Sequence, residues 1–248
     1  MPRISILGVP IDSISLQEAT LRIQEMLSSD LQHHVMTPNS EMLVEAFHNP
    51  AFFSVLQKAA LNVPDSAGLL WAARKTEQIL LERVAGVDVV ARVCRELHED
   101  TPVFFLGGRD GVAHCAFLAL REQNPQLHVV GVYEGSPRDE DLDEIIQRVN
   151  KAKPVLLFVA YGSPEQDMWI SRNLHKMPSV RTAMGVGGTF DFLAGKVKRA
   201  PMWMQRIGLE WLWRMIREPW RIRRICTAVM VFPWLVMRYG KARISSLV

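Results

Sequence analysis

The stretch that decides the fold is "PVLLFVAYGSPEQDMWI", residues 154–170. Its first half is an unbroken apolar run of Val, Leu and Phe, without the apolar–polar alternation of a strand that has one wet face. Such a strand belongs inside a parallel sheet, covered by helices on both faces. The run ends at Gly162 and Pro164, and the acids and amide that follow suit the first turn of a helix. Strand, glycine turn and helix form one βα unit. Gly162 and Gln166 then stand at the strand's carboxyl end, where Gln166 either orients a ligand through its amide or is a plain surface residue.

The same alternation recurs through the first two hundred residues. "ISILGV", "HHVMT", "ALNV", "PVFFLGG", "HVVGVY" and "RTAMGVGG" read as strands. "SLQEATLRIQEML", "GVDVVARVCRELHE", "GVAHCAFLALREQ" and "RDEDLDEIIQRVNK" space their apolar positions three and four apart, as helices do. This predicts an α/β fold with a mostly parallel sheet flanked by helices. Glycines cluster just past the strands, at Gly107–Gly108, Gly162 and Gly185–Gly187–Gly188, and an open parallel sheet binds ligands at that carboxyl edge.

The 248 residues are 48% hydrophobic and 22% charged, as in a soluble globular protein of one large or two small domains. Cys94, Cys115 and Cys226 lie too far apart in sequence for a disulfide framework or a CxxC metal site, which fits a reducing compartment. The N-terminus lacks the apolar length of a secretory signal. Charge is unevenly spread. From position 199 onward ten Lys and Arg face two acids, whereas the preceding residues carry 19 basic and 24 acidic groups. Five of the seven tryptophans also lie in that tail. A boundary near residues 195–201 divides an α/β core, residues 1–195, from a basic, Trp-rich appendage, residues 196–248.

Several rim segments carry polar groups. In "NVPDSAG", Asp65 follows a proline that holds the chain extended, so Asp65 or Ser66 can cap the next helix, and Asp65 can equally serve chemistry. "TPNSEM" offers Thr37 and Asn39 to a sugar, or forms a Pro-Asn turn with Ser40 as cap. "FFLGGRDGVA" is a strand, two glycines and a helix start, which suits either phosphate or a tight βα turn. "GVGGTFDFLAG" sets Thr189 and Asp191 among glycines and phenylalanines beside the same rim. Asp139–Glu140–Asp141 is read as the acidic first turn of a helix rather than a metal-binding DxD. His33–His34 is no metal pair, because neighbours on a strand point to opposite faces.

The tail contains "RAPMWMQRIGLEWLWRMIREPWRIRRICTAVMVFPWLVMRYGKAR". On a helix, Trp203, Ile207 and Trp211 share one face, and Arg214, Arg217, Arg221 and Arg224 recur about once per turn. Residues 225–237 are apolar but interrupted by Pro233 and short of the ~18 residues that suggest a span. Tryptophan and arginine beside apolar residues fit a membrane surface. They fit nucleic acid poorly, because the apolar runs offer nothing to a phosphate backbone. Cutting near Gly195 is expected to leave a more soluble core.

Eight segments, in order and across nearly the whole chain, resemble the WecG/TagA/CpsF glycosyltransferases, glycosyltransferase family 26. They are "LGVPIDSIS", "TPNSEMLVEA", "NVPDSAGLLWAAR", "ERVAGVDVV", "FFLGG", "GSPEQDMWI", "GVGGTFDFLAGKVKRAP" and "LEWLWRMIREPWRIRR". The resemblance implies a Rossmann-like core of the GT-E type with a C-terminal appendage docked peripherally on the cytoplasmic face of the membrane. It implies inverting transfer, without a metal or other cofactor, of an N-acetylmannosamine-type sugar. The donor is a UDP-sugar, and the acceptor is polyprenyl-diphosphate-linked N-acetylglucosamine of teichoic acid, capsule or exopolysaccharide assembly. By position, Asp65 resembles the catalytic base, with Thr37, Asn39, Arg83 and Gln166 around it. Gly107, Gly108, Tyr133, Gly135, Gly162, Gly188, Thr189 and Asp191 fall to substrate binding, with Asp191 and its glycine loop at the nucleotide and Tyr133 stacking on uracil. Arg214, Arg217, Arg221 and Arg224 fall to the lipid diphosphate and membrane. "VYEGSP" is acidic and Pro-containing where many members have an aromatic, glycine-rich turn. Homo-oligomerisation is left open.

Two other classes compete. A nucleotide-binding oxidoreductase would need a GxGxxG with a downstream ribose-binding acid, which the sequence lacks. A peripheral membrane adaptor without activity would explain the tail but not the rim motifs.

Overall fold

A computed structural model describes residues 2–242. The chain opens with a hairpin, β1 (Arg3–Ile6) and β2 (Val9–Asp12), followed by α1 (Leu16–Leu27) and β3 (His33–Met36). Next come α2 (Ser40–His48), α3 (Pro50–Lys58), β4 (Leu61–Asn62), α4 (Ala67–Lys75) and α5 (Gly86–Glu96). The middle of the chain runs β5 (Val103–Gly107), α6 (Val112–Gln123), β6 (Val129–Tyr133), α7 (Asp139–Ala152), β7 (Leu156–Ala160), α8 (Glu165–Asn173), β8 (Thr182–Gly185) and α9 (Thr189–Leu193). The tail supplies α10 (Met202–Arg206), α11 (Glu210–Arg217), α12 (Ile222–Cys226) and α13 (Phe232–Tyr239).

Six strands form one parallel sheet in the order β4-β3-β8-β7-β5-β6. The apolar run at 154–160 is the buried inner strand β7, paired on one side with β5 and on the other with β8. Phe105, Phe158 and Phe190 stack in the layer on one face, and Trp169 with Ile170 of α8 covers the other. The protein is therefore the α/β fold expected from the sequence, a parallel sheet flanked by helices.

One strand reading needs correction. "ISILGV" does not join the main sheet. Leu7 and Gly8 take φ of 51° and 79°, the left-handed pair of a tight hairpin turn, so the chain reverses and β2 pairs antiparallel with β1. Arg3 donates to both carboxylate oxygens of Asp12, at 2.7 and 3.3 Å, and Asp12 in turn accepts the Asn62 N–H at 2.7 Å, which fastens the hairpin to β4.

The tail also departs from expectation. It is not one helix with a basic stripe. Gly208, at φ 77°, ends α10, and Pro219 ends α11 by removing an N–H donor and keeping Glu218 out of the helical region, at φ −134° and ψ 66°. The chain bends twice, and α13 then returns to the body. Phe232, Leu235 and Val236 are buried with Met36, Leu43 and Leu69. Beyond α13, the Gly240 and Lys241 carbonyls accept the N–H groups of Leu7 and Gly8 at 3.0 and 2.9 Å. Trp234 and Met237, on the other face of α13, stay exposed. Among the described residues no helix is long and apolar enough to cross a membrane.

This packing changes the expected result of cutting the chain near Gly195, since removal uncovers the apolar surface beneath α13. Phe232→Ala is expected to cost about 3–5 kcal/mol in a denaturant melt, as for a large side chain deleted from a core. A change below 1 kcal/mol would mean that α13 only rests on the surface.

Candidate active site

Because the strands are parallel, their carboxyl ends open on one side, and there a cleft of about 530 Å³ collects most of the rim residues. β3 delivers Thr37 and Asn39, β4 delivers Asp65, β5 delivers Gly108, β7 delivers Gly162 and Gln166, and β8 delivers Gly188, Thr189 and Asp191. Arg83 enters from the loop between α4 and α5, and Arg214, Arg217, Arg221 and Arg224 close the cleft from the tail. Gly107, Tyr133 and Gly135 do not line it. Gly107, at φ 94°, lies so close to the Ala160 backbone that a Cβ there would stand 2.8 Å from it, so its lack of a side chain serves sheet packing. Tyr133 ends the edge strand β6, carries the Arg148 guanidinium 4.3 Å from its ring centre and bonds with Glu144. Gly135 packs beside Tyr133 and Ile145.

Asp65 is held by backbone on both sides. Its N–H donates to the Pro38 carbonyl at 2.9 Å, continuing the β3–β4 pairing, and the neighbouring Pro64 carbonyl accepts the Val84 N–H at 2.9 Å. The cap of α4 is Ser66, whose hydroxyl accepts the Leu69 N–H at 3.3 Å. Asp65 thus has no part in capping α4. It accepts instead from the Gly86 N–H at the start of α5. A Cβ at Gly86 would lie 3.2 Å from Thr37 Oγ1 and 3.5 Å from Asp65 Oδ2, so a bare backbone lets this helix start press between them.

Asp65 keeps 26% of its side-chain surface open to the cleft, and protein walls the remainder. That burial is the largest influence on the carboxyl group and raises its pKa from 3.8 to about 6, against the opposing pull of Arg83, the Gly86 N–H and Arg214. Asp191 is raised for the same reason, opposed by Lys196 and Arg221. Among the described residues the cleft wall carries nine cationic side chains, including Arg109, Lys196, Lys198 and Arg199, against five carboxylates. Such a wall suits a polyanion.

Two amides have structural assignments that the sequence leaves open. Asn39, rather than Ser40, caps α2 by accepting the Met42 N–H at 3.0 Å. Gln166 is neither a surface residue nor a free donor. It is buried, and its amide oxygen accepts the N–H of Gly162 at 3.1 Å and of Gly187 at 2.8 Å, clipping together the loops after β7 and β8. Asp139, Glu140 and Asp141 occupy the first turn of α7, outside the cleft. His34 faces Asp167 at 3.2 Å, while burial and then the charge of Arg22 lower the pKa of His33. Among the described residues no three His, Cys, Asp or Glu lie close enough to share a metal ion.

Glu210 and Arg199 are cleft residues that motif reading passes over. Glu210, on the first turn of α11, pairs with Arg83 and stands 3.9 Å from Arg199. Arg199 donates to Asp88 at 2.5 and 3.2 Å and to Gln205 at 3.0 Å. The one signal for Glu210 in sequence is its isolation, as one of two acids in the basic tail. With the Trp213 indole N–H on the Lys198 carbonyl at 3.1 Å and Arg214 over the Phe192 ring at 5.1 Å, these contacts seat α11 across the cleft.

The sequence model of the family described as "Glycosyl transferase WecG/TagA/CpsF family" matches residues 4–246. A Bacillus subtilis protein named N-acetylglucosaminyldiphosphoundecaprenol N-acetyl-beta-D-mannosaminyltransferase is 31% identical over 192 residues, covering 77% of this chain and 74% of its own. A Bacillus spizizenii protein of the same name matches with the same identity and coverage.

Because the folded pKa of Asp65 lies above its unfolded value, the native state holds this proton more tightly, and that stabilisation is lost as pH rises from about 4 through about 6. Asp65→Asn removes the cost of burying the charge while leaving an acceptor for Gly86. It is expected to stabilise the protein by about 1–3 kcal/mol at pH 8 and by little at pH 4, read by denaturant melts at both. Equal effects at the two pH values would contradict the burial of this carboxylate.

Proposed function

Because the chain belongs to the WecG/TagA/CpsF glycosyl transferase family, we propose that it moves an N-acetylmannosamine-type sugar from a UDP donor to polyprenyl-diphosphate-linked N-acetylglucosamine. The reaction inverts the anomeric centre, uses neither metal nor other cofactor, and serves teichoic acid, capsule or exopolysaccharide assembly at the cytoplasmic face of the membrane. The names of the Bacillus relatives support the sugar and the acceptor. The observation that carries the reading is Asp65, a carboxyl group with a pKa of about 6 at the end of β4 in a cation-rich cleft.

In this reaction the acceptor hydroxyl oxygen attacks the anomeric carbon of the donor, and the bond to UDP breaks on the opposite face. Asp65 takes the hydroxyl proton. A base with a pKa near 6 is largely ionised at neutral pH yet far more basic than an exposed aspartate, which suits it to proton abstraction. Two anions need matching charge, the departing UDP and the lipid diphosphate of the acceptor. Arg83 and the tail arginines supply it without a metal. Gln166 accepts the Gly162 and Gly187 N–H groups and so keeps the two glycine loops at a fixed spacing, which holds the cleft wall in shape when the substrate arrives.

The tail also supplies the membrane contact. Among the described residues, eleven of the sixteen exposed large hydrophobic side chains lie between positions 202 and 237, including Trp203, Ile207, Ile216, Trp220 and Trp234. Aromatic side chains at headgroup depth beside arginines favour an anionic bilayer. These side chains come from the same segment as the cleft arginines, so one docking event brings the lipid-linked acceptor to Asp65.

Two experiments test the reading. With UDP-N-acetylmannosamine and a short-chain lipid-diphosphate N-acetylglucosamine, wild-type protein is expected to release UDP, and Asp65→Ala to do so ~10²–10⁴-fold more slowly with its melting curve intact. An Asp65→Ala protein of wild-type rate would remove Asp65 as base. In co-sedimentation, binding to vesicles with anionic lipid is expected to exceed binding to neutral vesicles and to weaken as salt rises. Equal, salt-independent partition would refute an arginine contribution.

A further inference from the structure

Five groups from four segments face the Asp65 carboxylate. Arg83 lies on the loop between α4 and α5, and the Gly86 N–H opens α5. Arg199 comes from the coil before α10, while Glu210 and Arg214 come from α11. Arg83 is shared between two carboxylates through a single nitrogen. Its Nη2 makes the tight pair with Glu210 and remains 3.8 Å from Asp65. Arg199, the other cation beside Glu210, is already engaged by Asp88. The closest approach of Arg83 therefore goes to a residue of the tail and not to the carboxylate beside it in the body.

We propose that Glu210 is a positioning residue, which draws the Arg83 guanidinium off Asp65 and so keeps that carboxylate able to accept a proton only while α11 is seated over the cleft. The inference rests on the reading of Asp65 as base. A guanidinium in direct contact with an aspartate lowers its pKa by about 1–3 units, and a base weakened in this way abstracts a proton less well. Glu210 opposes that in two ways. It competes for Arg83, and its own negative charge near Asp65 disfavours a second one. If α11 lifts away, both effects go with it and Arg83 is free to close on Asp65. The body alone then holds a quenched carboxylate, and seating of the tail restores the base.

The test uses full-length protein in the Glu210→Gln form, which keeps the shape of the side chain and removes its charge. The carboxyl carbon of Asp65, assigned by its loss in Asp65→Asn, is followed by ¹³C NMR titration without substrate. Asp65 is expected to titrate about one pH unit or more below the wild-type value. The acid limb of the kcat/KM profile is expected to move down with it, kcat at pH 8 to fall more than KM changes, and Glu210→Asp to recover most of both. An Asp65 titration at the same pH in wild-type and Glu210→Gln protein overturns the proposal, whatever the variant's activity, since a merely structural role would lower the rate without moving the titration. Should Glu210→Gln fail to fold in a thermal melt, Glu210→Asp is expected to show a smaller shift in the same direction, and no shift there overturns the proposal equally. Because the titration is read without substrate, its failure is distinct from failure of the base assignment, which the rate of Asp65→Ala decides.

Discussion

Parallel pairing places the carboxyl ends of five strands on one side of the molecule, and the cleft depends on that constraint. Thr37, Asp65, Gly108, Gly162 and Gly188 come from positions as distant in sequence as 37 and 188, yet each follows the end of a strand by one to three residues. The sheet fixes their spacing through backbone hydrogen bonds. The side chains can then be small and polar, because rigidity is supplied from below. Asp65 shows this most clearly, with its own N–H on the Pro38 carbonyl and the Gly86 N–H on its carboxylate.

The tail contributes in two directions at once. Its inner faces bury Phe232, Leu235 and Val236 in the body and lay arginines and Glu210 along the cleft. Its outer faces expose tryptophans and other large apolar side chains. The breaks at Gly208 and Pro219 make this possible. A single straight helix would hold its arginines in one stripe, whereas a bent path turns Arg214, Arg217, Arg221 and Arg224 toward one cleft while α13 returns to the hairpin.

Much of this was legible in residue order. The apolar run ending at Ala160, the helical periodicities and the glycines past the strands carry the fold, because each reflects a local rule of burial or backbone freedom. The hairpin at Leu7–Gly8 was not legible, since a leucine with positive φ has no sequence signature. The burial of α13 was missed for a related reason. Phe232, Leu235 and Val236 are as apolar as residues that face a bilayer, and only the position of the body reveals which face they cover. Gln166 reads as a polar rim residue, but its amide oxygen accepts glycine N–H groups from loops after separate strands, which no linear motif encodes. Glu210 is the clearest gap. Charge counting marks it as an exception in a basic segment, and only tertiary structure places it against Arg83.

The account rests on a body carboxylate and tail cations acting on one bound substrate pair. The most direct measurement is a structure of the full-length protein on a lipid surface with UDP and a short-chain acceptor. It should place the acceptor hydroxyl within hydrogen-bond reach of Asp65 and at least one of Arg214, Arg217, Arg221 and Arg224 on a phosphate. A complex in which the acceptor diphosphate lies away from the tail, with Asp65 out of reach of the hydroxyl, would contradict it.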